Sequence, residues 1–299
     1  MFELGGTVGT DSGGVIVGET GGTHNLGTGG RCQLGPFGAP EVITGLGLTN
    51  VGLWGPSLSG DGYTVYFGAS DSAGNEHIYR ARRADRGATF SAAERLSELA
   101  SNASEGTPCV SADELTIYFY STRSGGTGDR DLWVATRTNT AASFGTPIAL
   151  SLLNTPNIDY QPWISADERQ LLFTSPGSSA QNSVDIWVAT RSDKSQAFPA
   201  AQRFASLSST SNDQRASLSS DGLTAFFSSD RAGGLGNMDI WYATRTTPSG
   251  DFIPAGLVEG INSTGADRDP MLSRDDTELV FASARGGLTQ LYRVVRTCQ

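Results

Sequence analysis

Residues 213–245 read DQRASLSSDGLTAFFSSDRAGGLGNMDIWYATR, and imperfect copies of this stretch account for almost all of the chain after residue 50. The serine of its S-x-D step occurs five times, at spacings of 52, 54, 54 and 54 residues. These serines are Ser59, Ser111, Ser165, Ser219 and Ser273. Self-similarity at a period of this length is the signature of a repeat architecture. The sequence therefore predicts five copies of one supersecondary unit.

Each copy has the composition of short strands joined by turns. In the copy at 213–245 we predict strands at 216–219, 224–228 and 239–245, with a fourth, more polar strand beginning near Phe252. Four-stranded antiparallel units repeated in series are typical of propeller blades. A β-solenoid is the alternative, although its coils are usually shorter. We therefore predict an all-β fold, a five-bladed β-propeller of four-stranded antiparallel blades.

The repeat resembles a known family. The pattern D-x-x-P-x-L-S-x-D-G-x-x-x-x-F-x-S-x-R-x-G-G-x-x-D-I-W is similar to the WD40-like PD40 repeat of the TolB propeller family. It is matched fully or partly at 105–137, 159–191, 213–245 and 267–296, and more loosely at 54–83. The resemblance implies a propeller over roughly residues 37–299. It implies no particular activity, because the family includes binding proteins, scaffold proteins and domains attached to enzymes.

The N-terminal segment is predicted to complete the last blade. A phenylalanine opens the fourth strand of each copy, at Phe37, Phe90, Phe144, Phe198 and Phe252. Phe37 has no copy before it, and the chain stops after the third strand of the fifth copy, so the strand near Phe37 should close the ring. Cys32 and Cys298 fall at the same position of the repeat, and we expect them to form a disulfide. The alternative is two free surface thiols.

Bulk properties limit the partners and the compartment. A net charge of −10 and a pI near 4.7 argue against nucleic acid and anionic membranes as partners. No apolar run is long enough for a transmembrane segment. Residues 1–31 hold eleven glycines and are expected to be a flexible tail before a propeller at 32–299. The tail could be a tether to an export or lipid-anchor signal, a segment without a role, or a source of an edge strand at 15–17.

A disulfide would place the protein in an oxidising compartment. We therefore expect a monomer that is periplasmic, lipid-anchored or secreted.

Residues that recur in every copy are expected to be structural. The recurring phenylalanines and aliphatic residues should form the core between blades, and the aspartates of the S-x-D steps should accept turn N–H bonds. Asp131, Asp185 and Asp239 are expected to form structural ion pairs with arginines such as Arg123 and Arg231. His77 takes the same position in the first copy, and with only His24 elsewhere no histidine-based metal site or catalytic triad can be assembled. Cys109 is expected to be a buried packing residue.

Residues that vary between copies are the candidates for function. Three residues precede the first strand of each copy, and because the first strand of a blade is innermost, these triplets should meet at one mouth of the channel. The candidate rim residues are Trp54, Glu105, Asp159, Tyr160, Gln161, Asp213, Arg215, Asp267, Arg268 and Asp269. A concave site with aromatic platforms and a few polar groups is the usual form of a ligand site. The recurring acid could instead fix the start of the strand.

Three functions are consistent with such a rim. The first is a non-enzymatic exported module that recognises a peptide, a glycan or a partner protein without a cofactor. The second is a glycoside hydrolase that uses a pair of rim carboxylates, one acid and one base or nucleophile. The third is binding of a divalent cation such as Ca²⁺ by the acids, although the sequence has no dedicated metal loop. We favour the binding module.

Overall fold

The computed structural model describes residues 23–26, 30–71, 73–177 and 183–297. These residues form 22 strands and no helix. The strands are β1 (Thr23–Leu26), β2 (Gly30–Gln33), β3 (Glu41–Val42), β4 (Leu53–Leu58), β5 (Thr64–Ser70), β6 (Glu76–Arg82), β7 (Glu94–Arg95), β8 (Glu105–Val110), β9 (Thr116–Ser121), β10 (Asp131–Thr136), β11 (Ile148–Ala149), β12 (Tyr160–Ile164), β13 (Gln170–Pro176), β14 (Val184–Thr190), β15 (Gln202–Arg203), β16 (Asp213–Leu218), β17 (Thr224–Ser229), β18 (Asp239–Thr244), β19 (Ile253–Leu257), β20 (Asp267–Leu272), β21 (Glu278–Ser283) and β22 (Gln290–Val295).

Five four-stranded antiparallel sheets form the blades of a propeller, as predicted. Blades one to four are β4–β7, β8–β11, β12–β15 and β16–β19, and blade five combines β20, β21 and β22 with β3. The first strands β4, β8, β12, β16 and β20 contact one another in a closed ring, which makes them innermost. β1 and β2 pair with each other and belong to none of the blades. β1 lies within residues 1–31, the range predicted as a flexible tail, and β2 extends two residues beyond it. The segment at 15–17 lies outside the described residues.

The ring closes where the sequence indicated. β3 pairs with β22, with Val42 opposite Tyr292. In every blade an arginine at the end of the third strand covers the phenylalanine that opens the fourth. The guanidinium of Arg245 lies 4.4 Å from the ring centre of Phe252, and that of Arg296 lies 4.6 Å from Phe37. The N-terminal segment therefore supplies the fourth strand of the last blade.

The recurring apolar residues fill the space between blades. The second strand of each blade contributes a phenylalanine that is at most 2% exposed. These residues are Phe67, Phe119, Phe173, Phe227 and Phe281. The aspartate of each S-x-D step accepts a backbone N–H two residues later, as predicted, for example from Leu223 to Asp221 at 2.9 Å. Cys109 is a fully buried free thiol, also as predicted.

Each innermost strand contains a β-bulge at the same place. In blade one the ladder shifts between Trp54 and Ser57, so Gly55 and Pro56 lie opposite the single residue Phe67. The other four first strands shift at the equivalent position. The first bulge residue has a positive φ in all five blades: 58° at Gly55, 44° at Thr107, 54° at Gln161, 41° at Arg215 and 60° at Asp269. Such a backbone normally requires glycine, so four of the five blades accept strain at this point.

A buried ion pair joins the first blade to the last. The two terminal guanidinium nitrogens of Arg83 donate to the carboxylate of Glu278, at 3.0 and 2.5 Å, and both side chains are shielded from solvent. Arg83 also donates to the carbonyl of Gly62 at 2.9 Å. Bidentate arginine–carboxylate pairs are among the strongest hydrogen-bonded contacts. This pair lies at the joint where the two ends of the repeat array meet.

We predict that Glu278→Thr lowers the free energy of unfolding by about 3–5 kcal/mol, because it leaves the buried guanidinium of Arg83 without its partner. Threonine suits the local strand, since Thr64, Thr116 and Thr224 occupy this position in other blades. Urea denaturation followed by tryptophan fluorescence measures the effect. The control is Glu94→Thr, which breaks the exposed pair with Arg80 and should cost less than about 1 kcal/mol. Equal losses in the two variants would contradict a special role for the joint.

The expected disulfide falls partly outside the described residues, which end at Thr297. The backbone N–H of Gly35 donates to the carbonyl of Thr297 at 3.0 Å, so the two terminal segments lie side by side there. Cys32 is three residues from Gly35, and Cys298 directly follows Thr297. The pairing of the two cysteines remains a prediction.

Candidate functional site

In blades two to five the first residue of the triplet is an acid, buried in a network that anchors the start of the innermost strand. Asp213 accepts bonds from the backbone N–H and hydroxyl of Ser209 and from Arg231. Asp267 accepts the same set from Ser263 and Arg285. The arginine in each case lies after the second strand of the same blade, and its length lets it reach the acid across the ladder.

The remaining two acids vary this network. Glu105 bonds to Arg123 at 3.2 Å and to His77 of the preceding blade at 3.2 Å. Asp159 has no arginine, because Gly177 occupies that position, and one of its carboxylate oxygens has no hydrogen-bond partner among the residues described. Burial raises the pKa of the Asp159 carboxyl.

The predicted pairing of Arg123 and Arg231 with the aspartates of the third strand is therefore wrong. Arg231 pairs with Asp213, whereas Asp239 accepts the backbone N–H of Leu235 at 2.9 Å and stabilises the glycine-rich turn. Asp131 does the same with Thr127 at 3.0 Å. The third such residue, Asp185, pairs with Arg203 at 2.6 Å instead.

The third residue of each triplet is the left-handed bulge residue, and it lies beside the channel axis. Arg215 is fully buried there, and its guanidinium donates to the carbonyls of Pro56, Thr107 and Pro108 at 2.9, 3.3 and 3.2 Å. Because these carbonyls belong to blades one and two and Arg215 to blade four, the side chain crosses the channel. Burial lowers the pKa of Arg215, and the carboxylate of Asp269 opposes that shift.

We predict that Arg215→Met destabilises the fold by about 2–5 kcal/mol, because methionine fills similar volume but leaves buried carbonyl groups without donors. The change keeps a side chain of comparable length at the strained position, so backbone strain is little altered. Thermal unfolding by circular dichroism gives the comparison. Arg268→Met, one bulge away and partly exposed, should stay within about 0.5 kcal/mol of the wild type. A stable Arg215→Met protein would show that the channel closes without this side chain.

The second residue of each triplet points into a cavity of about 350 Å³ at this mouth of the channel. Trp54, Tyr160, Gln214 and Arg268 line it, and the equivalent residue of blade two is Gly106. Tyr120 from the next strand fills the space above Gly106: a Cβ added there would lie 2.7 Å from the tyrosine ring. Trp54 has the converse arrangement and lies against Gly68. At this position of the repeat, aromatic rings therefore come from blades one to three, and polar side chains from blades four and five.

A second position of the repeat completes the walls. This position directly precedes Asp131 in blade two and its equivalents His77 and Gln290 in blades one and five. It contributes Glu76 in blade one, Arg130 in blade two and Thr289 in blade five. The guanidinium of Arg130 lies 4.9 Å from the ring centre of Tyr120 and 5.7 Å from that of Tyr160. Such cation–π contacts hold the arginine over the aromatic side of the cavity without using its N–H donors.

Several polar groups in the cavity have no protein partner among the described residues. The charged groups of Glu76, Arg130 and Arg268 make no hydrogen bond or ion pair there, and the buried hydroxyl of Tyr120 has none either. Burial raises the pKa of Glu76, the charge of Arg130 opposes the rise, and Asp269 adds to it. Asp269 forms part of the floor and is fully engaged, since it accepts the N–H of Gly55 at 3.0 Å and the amide of Gln161 at 2.7 Å.

The predicted rim residues thus divide into three groups. The cavity is lined by Trp54, Tyr160, Gln161, Arg268 and Asp269. Arg215 lies at the axis, and the four recurring acids lie buried beside the strand starts, bonded as a structural role requires. Sequence reasoning missed Glu76, Tyr120, Arg130 and Thr289. One available signal was the variation between copies at the position of Arg130. The other was a swap of large and small residues across paired strands: Trp54 lies opposite Gly68 in blade one, whereas Gly106 lies opposite Tyr120 in blade two.

Over the described ranges, no group of three or more His, Cys, Asp or Glu side chains is placed to hold a metal ion. Those ranges also hold no helix that is long and apolar enough to span a membrane.

Comparisons with known proteins identify the architecture. No family model and no curated protein sequence matches the chain. Among solved structures, a TolB-type protein of Agrobacterium tumefaciens is 17% identical, with 81% of this chain and 76% of that one covered at a TM-score of 0.51. The likeness shows the fold.

Glycoside hydrolases share the fold equally well. A family 117 glycoside hydrolase of Zobellia galactanivorans is 12% identical, covering 88% of this chain and 90% of its own at a TM-score of 0.56. An α-L-arabinofuranosidase of Podospora anserina, solved in complex with cellotriose, is 12% identical. The match covers 89% of this chain and 97% of that one at a TM-score of 0.55. A propeller that serves both classes of protein does not decide between binding and hydrolysis.

Proposed function

We propose that the chain is a non-enzymatic binding module whose mouth cavity takes a peptide segment of a partner protein. The observation that carries this proposal is the set of charged side chains, Glu76, Arg130 and Arg268, that face the cavity without partners in the described structure. Elsewhere in these blades, most buried arginines are engaged by carboxylates or carbonyls. Unpaired guanidinium groups beside aromatic rings are typical of interface hot spots.

The charges favour a peptide that carries a carboxylate. The charges that line the cavity balance, with Arg130 and Arg268 against Glu76 and Asp269, but Asp269 is already engaged by two neutral donors. Both guanidinium groups therefore keep N–H donors for a ligand carboxylate, which arginine binds with two parallel hydrogen bonds. Glu76 can bond to a backbone amide group of the same segment. Trp54 gives an apolar surface for a neighbouring side chain. A neutral glycan would use the aromatic rings but would give the N–H donors of both arginines no carboxylate to bind.

Hydrolysis of glycosides is the second candidate, because the cavity holds two carboxyl groups, Glu76 and Asp269. The raised pKa of Glu76 suits a general acid. Asp269 is less suitable as its partner, since both its oxygens accept bonds from the protein and the residue is 2% exposed. A base or nucleophile needs a free lone pair directed at the reaction centre. The geometry therefore supports binding over hydrolysis.

We predict that a library of short peptides displayed on beads yields binders enriched in aspartate or glutamate. The change Arg130→Ala should weaken their binding at least about ten-fold, because a charge-assisted hydrogen bond contributes roughly 1.5–3 kcal/mol. Isothermal titration calorimetry with the best peptide measures this loss. The matched control is Arg95→Ala, an exposed arginine of the outermost strand, which should leave the affinity unchanged.

Two results would contradict the proposal. One is enrichment of peptides without acidic residues, and the other is equal loss of affinity in Arg130→Ala and Arg95→Ala. A panel of arabino-, xylo- and cello-oligosaccharides, assayed for reducing ends, tests the second candidate. Turnover that disappears in Glu76→Gln would assign hydrolysis in place of peptide binding.

We further propose that the protein works outside the cytoplasm, with Cys32 and Cys298 joined. The hydrogen bond between Gly35 and Thr297, which brings the two segments together, supports this pairing. Protein denatured without reductant should then show one reactive thiol, that of the buried Cys109, and three after reduction. Titration with Ellman's reagent counts them. In the chain-entropy model such a bond contributes about 4–5 kcal/mol, so dithiothreitol should lower the melting temperature of the wild type but not that of Cys298→Ser.

A further inference from the structure

The opposite end of the channel holds a second cavity, of about 470 Å³. The S-x-D turns that follow the innermost strands of blades three, four and five surround it. Trp163, Leu218 and Leu272 form its apolar side, and Arg274 reaches in from the last blade. None of the residues that line the first mouth takes part in this cavity.

Arg274 departs from the repeat. The equivalent residues of the other blades are small: Gly60, Ala112, Ala166 and Ser220. The Arg274 side chain extends from blade five towards blade three, where its guanidinium lies 5.9 Å from the ring centre of Trp163. Trp163 is also exceptional, because serine, cysteine or methionine fills its position elsewhere. Two unusual side chains therefore meet across the mouth.

Arg274 makes no hydrogen bond and no ion pair with any residue that the structure describes. The two aspartates of the cavity are occupied by their own turns: Asp167 accepts Ser165 at 2.6 Å, and Asp221 accepts Ser219 at 2.6 Å. Burial lowers the pKa of Arg274, and the charge of the Glu168 carboxylate opposes that shift.

The remaining charges make the cavity electropositive. Four arginines and two aspartates line it, in a chain whose net charge is −10. Arg191 and Arg245 are held in place by carbonyls, at 2.7 Å from Glu168 and 2.7 Å from Gly222. Arg274 is consequently the guanidinium that is free to bind a ligand inside the cavity, with the exposed Arg169 at its edge.

We propose that this second cavity binds an organic carboxylate with an aromatic or aliphatic body. The carboxylate would accept two parallel bonds from Arg274, and the body would pack on Trp163, Leu218 and Leu272. A planar guanidinium in a partly desolvated site matches a carboxylate. A bare phosphate fits less well, because it would leave the apolar wall uncovered and because the turn N–H of Ser220, a natural phosphate donor, already bonds to Asp276 at 2.9 Å.

Isothermal titration calorimetry on the whole chain tests this proposal with a panel of aryl and alkyl carboxylates, beginning with 3-phenylpropionate. Its neutral amide and inorganic phosphate are the control ligands. We expect the wild type to bind carboxylates saturably and to bind the amide at least about ten-fold more weakly. Arg274→Ala should weaken binding of the carboxylate by a similar factor. Alanine stands at this position in two other blades, so the variant should fold, and its melting temperature should match or exceed that of the wild type.

Two further variants keep the result specific. Trp163→Met, which copies Met271 of blade five, should weaken aryl carboxylates more than alkyl ones. Arg95→Ala, an exposed arginine of an outermost strand, should leave carboxylate binding unchanged. Arg274→Ala should leave acidic peptides bound at the first mouth, so failure of this proposal and failure of peptide binding there are separate results. Peptides with a free C-terminal phenylalanine, compared with their C-terminal amides, distinguish a protein terminus from a small acid as the source.

Equal affinity for acid and amide would overturn the proposal, as would undiminished binding by Arg274→Ala. Failure of the whole carboxylate panel to bind the wild type would overturn it as well.

Discussion

The bulge in each innermost strand is the constraint on which the remaining structure depends. One extra residue with a left-handed backbone directs three successive side chains to three places: the first into the blade, the second into the mouth cavity and the third onto the axis. Left-handed backbone costs about 1–2 kcal/mol for a residue other than glycine. Four blades accept this cost, and the third-position side chains of Gln161, Arg215 and Asp269 bond across the channel. Backbone strain of this kind is often found at functional sites.

Arginine has three separate uses in this fold. One set covers the phenylalanine of each fourth strand, and a second set neutralises the acids that anchor the strand starts. Both sets recur from blade to blade and bond to carbonyls or carboxylates of the protein, so they hold the blades together. The third set consists of Arg130, Arg268 and Arg274, whose positions hold no arginine in the other blades. These side chains face the two mouths of the channel and make no hydrogen bond or ion pair with the described part of the chain. Function is expected in this last set, because an uncompensated charge costs stability and adds nothing to the blade.

The period of the repeat was enough to predict the blade count, the strands and the closure by Phe37, because all three depend on residues that recur. The site was harder. A recurring acid at the strand start appeared on the rim in sequence, yet Asp213 is buried, since its partner Arg231 lies near it only across the folded ladder. The pairing error had the same origin: arginine is long enough to reach either of two nearby acids. Tyr120 was missed because it occupies a place that Gly106 leaves empty, and such compensation between strands requires knowledge of the register.

Arg215 keeps the two mouths apart. Its guanidinium spans the channel from blade four to blades one and two, and the cavities on either side share no lining residue. In this chain the two ends differ in chemistry, since one combines both signs of charge with aromatic rings and the other is positive and apolar. Because the two cavities share no lining residue, occupation of one does not exclude occupation of the other, and the ring can bind two different ligands on opposite faces.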